Sequence, residues 1–292
     1  MAPPLSPDRL LAALRTEGLT VVEVGDWRTH NRNHKGPWGP LHGVMIHHTV
    51  TRGTENTVRI CRDGYSGLPG PLCHGVIAKD GTVHLLSAGR ANHAGTGDED
   101  VLQAVIDERP VPRDDETGTD GNRYFYGFEC ENLGDGKDPW PAVQLEAIEK
   151  AAAALCRAHG WTSRSVIGHL EWQPGKSDPR GFTMDSMRDR IDDRLDTTPP
   201  PNKPNPPAPR PAARPPFPGR GAFRPGQSNA AIEQLGRQLV KKGFGKHYRV
   251  GPSRQWSEAD RQNVAAFQRS RKELRGDADG YPGPLTWHLL FS

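Results

Sequence analysis

The chain runs to 292 residues with a formal net charge of +3 and a pI near 8.7, acids and bases interspersed. This length predicts two domains, one of them large enough to bury a proper core without help from a metal or a disulfide. The mild basicity gives no reason to expect nucleic acid as a partner. The cysteines, Cys61, Cys73, Cys130 and Cys156, form no CxxC pair and no disulfide framework, although a bridge between Cys61 and Cys73 is left open. The opening stretch MAPPLSPDRLLAALRTEGL lacks a basic n-region and a long apolar h-region, and no segment approaches a membrane-spanning length. A soluble chain without an export signal and without membrane insertion is therefore expected.

In chain order, Ser6-Pro7-Asp8 opens a helix with an apolar stripe of Leu10, Leu11 and Leu14. Val21 to Val24 reads as a strand, and WRTHNRNHKGPWGP as an aperiodic loop; His30, His34 and His42 read as surface or loop residues. VMIHHTVT, Val44 to Thr51, is a short apolar run that rises into two histidines, as a buried strand delivering imidazole to its exit would. Side chains alternate along a strand, so His47 and His48 face opposite ways and at most one joins a given site.

A helix near Thr54 to Cys61 precedes GYSGLPGPL, which is predicted to be neither helix nor strand. CHGVIAKDGTVHLLS predicts a hairpin turning at Asp80-Gly81. The glycine-rich loop AGRANHAGTGDED carries Asn92 and His93, and a polar excursion from Glu99 to Asn122 holds a short helix from Val101 to Asp107. Tyr124 to Asn132 is the next strand, with Phe128 and Cys130 on one face and Glu129 and Glu131 on the other. A long helix from Pro141 to Gly160 turns Leu145, Ile148, Ala152, Leu155 and Cys156 to the core, so Cys156 packs rather than reacts. SVIGHLEWQPGKSDPRGF supplies a short strand ending at His169 and a tight loop closed by Asp178-Pro179; a helix from Asp185 to Leu195 completes the first domain.

The expected fold class is α/β, a mixed central β-sheet flanked by helices, followed by a small helical bundle. The first domain is assigned to residues 1–196. Residues 197–226 are a linker, because proline dominates TTPPPNKPNPPAPRPAARPPFPG, and residues 227–292 form the helical module. At about 3.1 Å per residue such a polyproline-type segment spans up to roughly 70 Å.

His47 at the end of one strand, Glu129 on the polar face of another, and His169 with Asp178 nine residues later require one explanation. Two histidines and a carboxylate are the ligand set of a catalytic zinc that keeps its fourth position for water, which becomes acidic enough to ionise near neutral pH. In that arrangement Glu129 shuttles the proton, and Lys176 supplies positive charge for a tetrahedral oxyanion.

The segments MIHHT, CHGVIAKDGTV, GRANHAG, YGFECEN and GHLEWQPGKSDP resemble, in content and order, the type 2 N-acetylmuramoyl-L-alanine amidases, a zinc family that includes many phage endolysins and the peptidoglycan recognition proteins. The resemblance covers Val21 to Leu195. It implies the type 2 amidase fold, Zn²⁺ on His47, His169 and Asp178, Glu129 as catalytic base, and Lys176 as a further catalytic residue. It also implies substrate contacts from His93, Asn92 and His74. Cys73 stands where several relatives carry tyrosine, and the QPGKSDP loop is one residue shorter than in near relatives.

QLGRQLVKKGF, NVAAFQRS and DADGYPGPLTWHLL resemble the helical peptidoglycan-binding domain type 1. Phe267, Trp287 and Leu290 are expected in its core, and Trp256 with the Tyr281-Pro282-Gly283 turn as glycan contacts. The resemblance implies a monomeric phage-type endolysin that cleaves between N-acetylmuramic acid and the L-alanine of the stem peptide. Its partner is bacterial peptidoglycan, and it reaches the wall after release from the host cytoplasm. The rival readings are a recognition protein that binds peptidoglycan without cutting it, and a bacterial wall-recycling amidase.

Overall fold

A computed structural model describes residues 2–197 and 215–291 of the chain. The chain divides into two compact units, Met1–Ala208 and Pro209–Ser292. Residues 198–214, most of the expected linker, lie outside the described residues.

The first unit opens with α1, Pro7–Thr16, where the Ser6 hydroxyl accepts the Arg9 N–H and Pro7 fills the first turn. Strands β1, Val21–Glu23, and β2, Gly43–His48, follow. After α2, Thr54–Asp63, the glycine and proline stretch makes two short strands, β3, Gly64–Tyr65, and β4, Leu68–Pro69. This miniature hairpin was not expected from the sequence, because proline and glycine argue against strands that a two-residue Ser66-Gly67 turn nonetheless permits. Strands β5, Gly75–Ile77, and β6, Val83–Leu85, form the expected hairpin around Asp80-Gly81.

The polar excursion contains β7, Thr96–Gly97, α3, Glu99–Ile106, β8, Thr119–Asp120, and the single turn α4, Gly121–Tyr124; the Asp98 carboxylate caps α3. Strand β9, Phe125–Cys130, leads to α5, Ala142–His159, which ends on Gly160 in the left-handed conformation. Strand β10, Val166–Gly168, and α6, Met184–Leu195, complete the unit.

One six-stranded sheet in the order β1-β6-β5-β9-β2-β10 organises these elements, parallel throughout except at the β5–β6 hairpin. Alternation splits the sheet's residues between two cores. Val44, Ile46, Tyr126, Phe128, Cys130 and Val166 pack beneath α1, α5 and α6, while Met45, Phe125 and Ile167 pack with α3 and Trp172 on the other side. All four cysteines are buried free thiols; Cys61 and Cys73 lie in one small cluster with Val76 and Leu86 and form no bridge. No helix among the described residues is long and apolar enough to cross a membrane.

The second unit consists of α7, Ala230–Lys241, α8, Glu258–Ser270, and α9, Pro284–Leu290, with Asn229 and Ser257 as side-chain caps of the first two. Phe267, Trp287 and Leu290 are core, as expected. Two expectations change here. Phe223 is fully buried in the same cluster and Phe217 packs on it, so residues assigned to the linker's end belong to this unit. Trp256 is also buried, stacked on Tyr281 with ring centroids 5.9 Å apart, which removes its face as a sugar platform.

Candidate active site

The parallel strands β2, β5, β9 and β10 all end at the same edge of the sheet, where open α/β sheets present their ligand sites. His47 and Glu129 are register partners on adjacent parallel strands, so their side chains leave the same face. His169 stands immediately beyond β10, in a short 3-10 turn. The turn is held by the Glu171 carboxylate, which accepts the Gly168 N–H at 3.0 Å and pairs with the buried Arg188 guanidinium at 2.8 Å. The following loop folds back, with the Leu170 N–H donating to the Asp178 carbonyl at 2.7 Å, and brings the Asp178 carboxylate to the two histidines.

The result is a tight triangle. His47 Nδ1 lies 3.1 Å from His169 Nδ1 and 3.0 Å from Asp178 Oδ2, and His169 Nδ1 lies 3.1 Å from the same oxygen. Both histidines are buried and Asp178 is partly so. Burial alone pushes the Asp178 carboxyl up, but the close approach of the His169 and His47 ring nitrogens outweighs it and holds it well below the usual carboxylate range. Burial lowers His47 to about 4, against a partial restoring effect from Asp178, so its imidazole is neutral at neutral pH.

A hydrogen-bond chain then fixes which nitrogen of His47 carries the proton. His93 Nε2 is 3.2 Å from the Phe125 carbonyl, which can only accept, so that nitrogen bears hydrogen. His93 is held neutral by burial and by the neighbouring imidazoles, which leaves its Nδ1 as an acceptor for His47 Nε2–H at 3.1 Å. His47 Nδ1 therefore points an unprotonated lone pair into the triangle, facing a carboxylate oxygen. Two acceptors this close need either a proton on His169 Nδ1, 3.1 Å from each, or a cation among them, and the set has the ligand types and the orienting outer hydrogen bond of a zinc site. By this chemistry the residues fit Zn²⁺.

His93 reaches His47 because β9 has no side chain at Gly127, where a Cβ would stand 2.4 Å from His93 Nδ1. The His93 loop is in turn anchored by Asn122 Oδ1, which accepts the N–H groups of His93 and Ala94 at 2.8 and 2.9 Å. Sequence reasoning missed Asn122, whose role depends on a contact across 28 residues that no local pattern announces.

Glu129 lines the same cleft, and its Oε2 is buried without a hydrogen-bond partner. Burial, seconded by the negative charge of Asp178, pushes its carboxyl up to about 8, with Lys176 opposing. Lys176 is exposed on the cleft rim in a turn closed by its own N–H to the Gln173 carbonyl at 3.1 Å. The cleft encloses about 640 Å³. A second cleft of about 510 Å³, lined among others by Arg9, His42, His159 and Trp161, contains none of the expected site residues.

The three expected substrate contacts fare differently. Asn92 lines the cleft and its amide donates to the Pro69 carbonyl at 3.4 Å. His93 also lines the cleft, but both its ring nitrogens are spent on His47 and Phe125, so it orients His47 instead of offering a polar atom to substrate. His74 is fully buried and lies off the cleft. Its Nε2 donates to the Gly89 carbonyl at 2.9 Å, its Nδ1 accepts the Gly127 N–H at 2.8 Å, and its ring stacks on Trp38. His74 is thus a strut between β9 and the 86–90 loop and not a substrate contact.

His48, as alternation requires, leaves the other face; its Nδ1 accepts the Arg180 N–H at 3.1 Å, and a Cβ at Gly134 would lie 2.2 Å from its ring. Glu131 is not in the site either. Its carboxylate accepts the Gly53 N–H at 2.8 Å and the Thr54 hydroxyl at 2.7 Å, tying down the start of α2.

No curated protein matches the chain. Among solved structures, an endolysin N-acetylmuramoyl-L-alanine amidase, LysCS, from Clostridium intestinale is similar over 59% of this chain and 95% of its own, with 17% identity and a TM-score of 0.40. The amidase AmiD from E. coli, in complex with anhydro-N-acetylmuramic acid-L-Ala-D-γ-Glu-L-Lys, is similar over 89% of this chain and 90% of its own, with 13% identity and a TM-score of 0.40. A mutant of Drosophila PGRP-LB in complex with tracheal cytotoxin is similar over 57% of this chain and 92% of its own, with 14% identity and a TM-score of 0.38. Residues 37–181 match the family model described as N-acetylmuramoyl-L-alanine amidase. This segment carries His47, Glu129, His169 and Asp178, and it is similar to the N-acetylmuramoyl-L-alanine amidase family Amidase_2.

Proposed function

We propose that the protein is a zinc-dependent peptidoglycan amidase of the phage endolysin type. It hydrolyses the amide between the lactyl group of N-acetylmuramic acid and the L-alanine of the stem peptide. The observation that carries this reading is the convergence of His47 Nδ1, His169 Nδ1 and Asp178 Oδ2 beside the unpartnered carboxylate of Glu129.

His47, His169 and Asp178 would hold the zinc. When bound, zinc supplies a Lewis acid that acidifies water and polarises an amide carbonyl. Glu129 is the chain's proton carrier: its free Oε2 takes a proton from the attacking water and returns it to the leaving amine, and its burial keeps that proton from bulk solvent. Lys176 contributes positive potential at the rim, where the carbonyl oxygen gains charge. His93 keeps His47 in the one tautomer that can act as a ligand.

The second unit is, in this reading, a wall-binding module that brings the enzyme to its insoluble substrate. The enzyme works as a monomer and meets the wall after release from the host cytoplasm. Against the reading of a protein that binds peptidoglycan without cutting, we weigh the Asp178 carboxylate, which stands 3.0 Å from His47 Nδ1 and 3.1 Å from His169 Nδ1 as a third ligand would. The test is to measure zinc content and release of new amino termini from purified sacculi on the same preparation. Stoichiometric zinc with amine release supports the reading; zinc-free protein with undiminished release removes it.

A further inference from the structure

The two most exposed large apolar side chains described in the first unit, Val50 at 66% and Tyr65 at 62%, both line the cleft that holds the His47–His169–Asp178 triangle. Both are held firmly. Tyr65 stands on the β3–β4 hairpin, whose backbone is tied by the Arg32 guanidinium to the Pro69 carbonyl at 2.9 Å and by the Asn92 N–H to the Pro71 carbonyl at 2.8 Å. At the base of the hairpin, Gly64 has φ 72° and a Cβ there would lie 2.2 Å from the Leu68 carbonyl oxygen, so the strands close as tightly as glycine permits. Val50 has φ 52°, a left-handed conformation that a β-branched residue adopts only at a cost of about 1–3 kcal/mol. The segment after it is held by the Thr51–Thr57 hydroxyl pair at 2.6 Å and by Glu131.

Exposed apolar surface on braced backbone faces something outside the fold. The opposite rim differs in chemistry: Gln173, Lys176 and Ser177 come from the loop after β10, at one edge of the sheet, whereas α2 and the hairpin lie on the β5 side. On the reading of the previous subsection, the scissile amide joins two unlike halves. One is a pyranose, whose C–H face stacks on aromatic rings; the other is a peptide that carries carboxylates.

We propose that Tyr65 is the platform for the pyranose ring of the muramoyl group, with Val50 completing the apolar rim. The glycan then enters over the β3–β4 hairpin and the stem peptide runs along residues 173–178, its carboxylates toward Lys176. This assignment rests on the amidase reading, and the experiment separates the two.

The zinc-loaded full chain and its Tyr65→Ala and Tyr65→Phe variants are assayed on N-acetylmuramoyl-L-alanyl-D-isoglutamine and on D-lactyl-L-alanyl-D-isoglutamine, which lacks the sugar. Tyr65→Ala should raise KM on the sugar-bearing substrate about three- to ten-fold with kcat little changed, and leave the lactyl peptide unaffected. Tyr65→Phe, which keeps the ring, should behave as wild type. Equal losses on both substrates, or no loss on either, would overturn the assignment. If the wild type cleaves neither substrate, the amidase reading fails. The platform is then decided by calorimetric titration with the N-acetylglucosaminyl-N-acetylmuramic acid disaccharide: weaker binding by Tyr65→Ala supports it, and isotherms identical to wild type overturn it.

Discussion

At the scale of single residues, the site depends on which atoms of which histidines have hydrogen. His47→Ala, His169→Ala and Asp178→Ala should each abolish stoichiometric zinc binding, whereas His48→Ala, on the far face of β2, should leave it largely intact; metal analysis after dialysis decides. The opposite pattern for the two adjacent histidines would invert the assignment. His93→Phe keeps an aromatic ring but removes the acceptor for His47 Nε2–H, and should weaken zinc affinity about 10- to 100-fold. Affinity unchanged in a competition titration would mean that His47 needs no such partner. Glu129→Gln should keep zinc and lose about 10²- to 10⁴-fold in turnover; full turnover with zinc retained would exclude Glu129 as the base.

Glu129 also leaves a mark on the stability of the metal-free protein. Its folded carboxyl is pushed up to about 8 from an ordinary 4.5, so the folded state binds the extra proton in that interval. Its stabilising contribution is complete below 4.5 and is lost as pH rises through 8, at about 1.4 kcal/mol per pH unit. Urea denaturation of wild type against Glu129→Gln across this range measures the slope, and parallel pH profiles would contradict it.

At the scale of elements, a few buried polar side chains set where strands and loops stand. Glu131→Gln weakens the anchor of Gly53 and Thr54 at the start of α2, and should lower stability by about 1–3 kcal/mol while zinc binding survives. Loss of zinc binding in a variant that still folds, as judged by circular dichroism, would place Glu131 in the site after all. His74, buried between β9 and the 86–90 loop, is lowered to about 4 by burial, as is His47. A depressed histidine favours the fold above 6.5 and loses that contribution as pH falls toward 4, so the metal-free protein should become progressively easier to unfold with urea over this interval. An unchanged midpoint between pH 7 and pH 5 would show that these imidazoles accept protons within the fold.

The elements themselves were largely legible. α1 and α5 follow from apolar spacing with Ser6 and Gly160 at their ends, and α6, Met184–Leu195, falls where a helix from Asp185 to Leu195 is expected. The β3–β4 hairpin was not legible, because its strands are two residues long and pair within a stretch whose composition argues for a loop.

At the scale of the whole molecule, every atom of the proposed site belongs to Met1–Ala208, and the second unit has its own core around Phe223, Phe267 and Trp287. Residues 1–198 alone should therefore cleave soluble muropeptides about as fast as the full chain, yet lyse intact walls more slowly. A tethered second binding site raises local concentration, with gains on the order of a hundred-fold or more on an insoluble polymer. Assays of the truncation on both substrates test this. Equal losses on each would make the C-terminal unit part of the catalytic machinery, and no loss on walls would mean that it does not bind them.

By itself the sequence determined the α/β class, the strand that carries His47, the face on which Glu129 lies, and the candidate set His47, His169 and Asp178. The first three depend on alternation, periodicity or local spacing, which are properties of neighbouring residues, whereas the choice of His47 over His48 as a candidate ligand comes from the family resemblance. Only the tertiary structure decided that three atoms from β2 and the loop after β10 meet within about 3 Å, that His93 serves His47, and that His74 is a strut. It likewise decided that Trp256 is buried and that Tyr65 and Val50 stand exposed on the cleft rim. The physical reason is the same in each case. A side chain's partner across 46 or 122 residues is chosen by sheet order and by the space that a glycine such as Gly127 leaves open, and neither is written in the local sequence.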